Sequence, residues 1–78
     1  MKTMTCKQLG GACDKEFHAK TFDEMAMKSK EHGMQMFKEQ EPAHLMAMQE
    51  MMKLMQDPHA MKKWMKEKEA EFDSLAED

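Results

Sequence analysis

Residues 14–24, DKEFHAKTFDE, carry the transition that decides the fold. Up to Ala19 the side chains alternate, Phe17 against His18, and upstream Thr3 and Thr5 alternate with Met4 and Cys6. That is the two-residue period of a strand. From Thr21 the period changes to 3.6. Thr21-Phe22-Asp23-Glu24 offers a hydroxyl to cap a helix and a glutamate three residues on to complete a capping box. Residues 2–6 and 14–19 therefore read as the arms of a β-hairpin, with Gly10 and Gly11 supplying the turn.

Downstream, Phe22, Met25, Ser29, His32 and Met36 fall at steps of three and four and share one face of a helix expected over about 22–38. Gly33 could end it or lie inside it, and the stripe continuing through Met36 and Phe37 favours the interior. An interior glycine costs about 1 kcal/mol relative to alanine, so it is expected to mark a close approach by another backbone. Pro42 opens a second helix over about 42–56, with a stripe of Leu45, Met48, Met52 and Met55. Asp57-Pro58 opens a third over about 58–75, carrying Met61, Trp64, Met65, Lys68, Phe72 and Leu75. The expected fold is α+β, a single domain over 1–78 with a hairpin at 1–20 and three amphipathic helices at 21–78. Its expected core is Phe17, Phe22, Met25, Phe37, Leu45, Met48, Met52, Trp64 and Phe72.

A chain of 78 residues buries only about 60–65% of its unfolded surface, so a metal, a partner or dense helix packing would help it. The formal net charge is -3, with lysines and acids interleaved, and no basic stripe suits nucleic acid. No apolar run is long enough to span a bilayer, and the first residues show no apolar leader segment. A cytoplasmic protein with reduced thiols is the expectation, and a structural disulfide is the less expected fate of its cysteines. Thirteen methionines stand against four leucines, with no valine, isoleucine, arginine, asparagine or tyrosine. Methionine fills irregular cores, suits adaptable binding surfaces and offers soft metals a thioether. Core filling is the first expectation. A second-helix surface that also carries Met46, Met51 and Leu54 is too wide for one core, so self-association or a protein partner is expected there.

Cys6 and Cys13 flank the Gly-Gly pair. Six strand steps from Cys13 to Ala19 cover roughly 20 Å, and eleven to fifteen helical steps from Thr21 cover roughly 16 to 22 Å. His32 and Met36 thus return to the level of Cys13, as in a ββα finger, whereas His18 does not. A candidate metal site follows: Cys6, Cys13 and His32, with Met36, water or another chain as fourth ligand. Zinc or Cu(I) would suit it, and Met36 would favour Cu(I). The plainer reading, favoured from sequence, makes the thiols small packing groups and His32 a hydrogen-bonded core histidine. His44 lies one turn before Met48, a pairing that arises readily among thirteen methionines, and His59 is expected to be exposed.

Cys6, Cys13, Asp14, Thr21 with Glu24, and His32-Gly33 together make the chain similar to a short prokaryotic family of unknown function, over residues 2 to about 37. Many members of that family carry a further histidine one turn before the His-Gly pair. Here that position is Lys28, which cannot complete a zinc site. The resemblance implies the hairpin and first helix, and no activity. No phosphate loop or serine nucleophile signature is present, and Ser29 and Ser74 are the only serines. A small non-enzymatic binding or interaction module is the expected function, with metal binding as the alternative.

Overall fold

The computed structural model describes residues 1–78. Strands β1 (Lys2–Thr5) and β2 (Glu16–Ala19) pair antiparallel and are followed by helices α1 (Phe22–Glu39), α2 (Pro42–Met55) and α3 (Pro58–Ser74). Met4 faces Phe17 across the ladder, and both side chains turn inward, as the alternation requires.

The helix starts follow from local chemistry. Thr21 Oγ1 accepts the Glu24 N–H at 3.2 Å, satisfying a backbone donor that the first turn leaves free. Pro42 and Pro58 stand where no N–H is needed, behind caps supplied by Glu41 and Asp57. The Asp57 carboxylate accepts from His59 and Ala60 at 3.1 and 3.2 Å. Gln40 ends α1 in the left-handed conformation, φ 54°, and swings the chain into α2.

The strands are shorter than the alternation suggests because the segment between them is more than a glycine turn. Thr5 and Gln8 exchange backbone-to-side-chain hydrogen bonds at 2.8 and 3.2 Å, which ends β1 and starts a 3₁₀ turn over Lys7–Leu9. Gly10 closes that turn with φ 92°. Cys6 donates its N–H to the Lys15 carbonyl and Lys7 to that of Cys13, at 2.8 and 2.9 Å, so the neck of the loop stays paired past the last strand residue.

The core is Met4, Cys6, Leu9, Phe17, Ala19, Phe22, Met25 and Phe72, where the hairpin meets α1 and the far end of α3. Phe22 and Phe72 meet edge to face at 6.0 Å. Lys2 Nζ donates to the Phe72 and Asp73 carbonyls at the end of α3, both at 3.1 Å, tying β1 to that helix.

Several expected core positions lie elsewhere. Phe37 is 64% and Met52 60% exposed, while Leu45, Met48 and Trp64 are half-buried. Methionine does not build most of the core either: only Met4 and Met25 are in it, and seven others are exposed. Nor does another backbone approach Gly33. The nearest foreign atom to a side chain there would be the Met48 methyl at 3.9 Å. Met25, by contrast, is wholly buried. Met25→Ala should therefore cost about 2–5 kcal/mol, as large-to-small truncations in packed cores do, read as a lower midpoint in chemical denaturation. No helix is long and apolar enough to cross a membrane.

Candidate metal centre

Four chain segments bring one donor atom each to the same place. Cys6 follows β1, Cys13 precedes β2, His32 sits in the third turn of α1 and His44 in the first turn of α2. Their two sulfurs and two ring nitrogens all lie within 4.8 Å of one another. Cys6 Sγ is 3.6 Å from His44 Nε2, and Cys13 Sγ is 3.3 Å from His32 Nε2. Cys6, His32 and His44 are buried and Cys13 is half-buried. An ion about 2.3 Å from sulfur and 2.0–2.1 Å from nitrogen in a tetrahedron spaces its ligands roughly 3.3–3.8 Å apart. Two edges are already at that spacing, and no other exceeds 4.8 Å, so the rest would close by at most about 1–1.5 Å.

The loop is shaped around the Cys6 sulfur. A Cβ on Gly11 would lie 2.1 Å from Cys6 Sγ and 3.0 Å from the Cys6 carbonyl oxygen, so only glycine fits there. The backbone N–H groups of Cys13 and Ala12 favour the Cys6 thiolate, and that of Lys15 favours the Cys13 thiolate. Such donors stabilise thiolates. Burial raises the Cys6 thiol above its ordinary pKa despite them. Burial pushes Cys13 the same way, but the Lys15 N–H, the His44 imidazole and Cys6 together outweigh it and lower its thiol.

The histidines are held from behind. Glu41, the α2 cap, accepts the His44 backbone N–H at 2.7 Å and also pairs with His44 Nδ1. One carboxylate thus caps a helix and turns His44 Nε2 towards the sulfurs, the arrangement that commonly supports a metal-bound imidazole. The same contact raises the His44 pKa and lowers that of Glu41. His32 is braced by Phe17, edge to face at 5.6 Å, and by the His44 ring at 5.2 Å. Burial, followed by the charges of His44 and Lys15, lowers its pKa and favours the neutral ring that a metal needs. Glu41→Gln keeps a cap but weakens the hold on Nδ1. It should reduce metal affinity about 10–100-fold, measured by competition with a chromophoric chelator.

The structure thus joins Cys6, Cys13 and His32, three of the four residues expected from sequence. Met36 stands one turn beyond His32, half-buried, and the fourth nitrogen in the cluster comes from His44. The signal for His44 was the Glu41-Pro42-Ala43-His44 helix start, with Ala47, Met48 and Met51 following on the same face. His18 lies outside the cluster, 2.8 Å from Thr3 Oγ1. Neither a protein-family model, nor a curated protein, nor a solved structure matches the chain.

Proposed function

We propose that this is a small non-enzymatic metal-binding protein in which Cys6, Cys13, His32 and His44 hold one zinc ion. The observation that carries the reading is the convergence of two thiols and two imidazoles, from four separate segments, within 4.8 Å. Two sulfur and two nitrogen donors in a compact set suit tetrahedral zinc, and no thioether is needed to complete it. With four protein ligands the ion is structural. It fastens the hairpin to α1 and α2 in a chain whose apolar core has only eight residues. Binding displaces protons from the thiols, so acid should expel the ion.

Titration of chelator-stripped protein with zinc against a chromophoric chelator tests the assignment. One equivalent should bind to the wild type, and Cys13→Ala or His44→Ala should each weaken binding by more than about 100-fold, since each removes a direct ligand. Equal affinity in the His44 variant would leave His44 as a packing residue.

A second reading concerns α2. Phe37, Leu45, Met48, Met51, Met52 and Met55 line an apolar cleft of about 490 Å³, and Phe37, Met52 and Met55 are exposed. Contiguous apolar surface of this kind favours a protein partner or a second copy of the chain. Sedimentation velocity across a wide concentration range tests the second copy, which predicts a rising sedimentation coefficient.

A further inference from the structure

The metal cluster has one side that is not closed by packing. Next to Cys6 and His44 lies a cavity of about 120 Å³, bordered by Gly10 and Gly11 and by the side chains of Met48 and Met51. The same two methionines line the larger cleft on α2, whose outer wall includes the exposed Met52 and Met55. Met51 meets the loop: its methyl carbon would be 2.4 Å from a Cβ on Gly10, the neighbour of the glycine that abuts Cys6 Sγ. Met48 and Met51 therefore stand between the surface cleft and the cavity beside the loop that carries a thiolate ligand, and both cavities share them as lining.

The chemistry of that lining is selective. A thioether is a soft, neutral donor that binds Cu(I) and contributes little to zinc. Leucine would have sealed the same surface with better-defined packing, and the chain has only four leucines against thirteen methionines. We propose that Met48 and Met51 form a thioether relay by which Cu(I) enters from the α2 cleft and reaches Cys6 and His44, displacing zinc. The proposal rests on the metal-binding reading of the four-residue cluster. The step is a ligand exchange without electron transfer: a Cu(I)–thioether bond breaks as a Cu(I)–Sγ bond to Cys6 forms. The bonds from zinc to Cys6 and His44 are lost first and those to Cys13 and His32 after them, each passing to Cu(I) or returning to the free donor, and zinc leaves as the divalent ion.

Zinc-loaded full-length protein, mixed with Cu(I) supplied as its weak acetonitrile complex, reports the exchange through a chromophoric zinc indicator. Wild type should release zinc, and Met48→Leu with Met51→Leu should slow that release about tenfold, because leucine keeps the bulk and removes the soft donor. Zinc release driven by excess EDTA should be the same in both, and Met46→Leu, an exposed methionine outside both cavities, should leave the Cu(I) rate unchanged. Equal Cu(I)-driven rates in the double variant and wild type would overturn the relay. So would an equal slowing of Cu(I)- and EDTA-driven release, which would mean that shape, not sulfur, controls access. A wild type that holds zinc but yields none to Cu(I) overturns the relay alone. A wild type that holds no zinc removes the site itself.

Discussion

Stripping the ion with a chelator should lower the melting temperature by roughly 15–30 °C and release the hairpin before the helices. Zinc at about 1,000 times its dissociation constant adds about 4 kcal/mol to the folded state, and in a domain of this length each kcal/mol shifts the midpoint by about 4–8 °C. The order of loss follows from where the ligands lie. Cys6 and Cys13 sit in the loop between β1 and β2, whose strands have only four residues each. The helices keep their caps, and α1 and α3 keep the Phe22–Phe72 contact, without the ion. Amide hydrogen exchange should therefore speed first at residues 5–16 and later in α1 and α3. A chelator-insensitive melt with unchanged exchange in the loop would mean that the thiols only pack.

Gly11→Ala should be nearly as damaging as loss of a ligand. Its Cβ would meet Cys6 Sγ at 2.1 Å and the Cys6 carbonyl at 3.0 Å; the second is backbone, and the first can give way only by taking the thiol out of the cluster. Either the loop opens or the sulfur leaves its place among the four donors. A loss of at least about 100-fold in zinc affinity is expected, together with about 2 kcal/mol or more of stability from the backbone clash. Gly33→Ala is the internal comparison. Inside α1, with the nearest foreign atom at 3.9 Å, alanine should stabilise by about 1 kcal/mol through helix propensity. Opposite signs for these two substitutions, read from denaturant midpoints and zinc competition, separate the loop's role from any general intolerance of alanine.

The element order was legible in the sequence because its signals are local. Thr21 and Glu24, Pro42, and Asp57 with Pro58 mark helix starts by chemistry within one turn of the chain. Chain rises sufficed to return His32 to Cys13. What could not be read was the rotation of α2. With His44 read only as a chance partner of Met48, Leu45, Met48, Met52 and Met55 make the inner stripe. The structure buries His44 and half-buries Ala47, Met48 and Met51, while Met52 and Met55 face outward. One residue of offset turns a helix by about 100°, and the five interchangeable methionines of α2 supply no contrast to fix it. The fourth donor of the cluster was missed for the same reason. A histidine bound for a metal site looks polar in a hydrophobic pattern, and its partners lie on segments 31 to 38 residues upstream in Cys13 and Cys6.

The most direct measurement is the metal content of the full chain purified without chelator, with X-ray absorption at the zinc edge of the same sample. One zinc per chain, coordinated by two sulfurs at about 2.3 Å and two nitrogens at about 2.0–2.1 Å, is the expected result. Protein that folds to the same structure with no bound metal, and takes up none when zinc is supplied in excess, would contradict it.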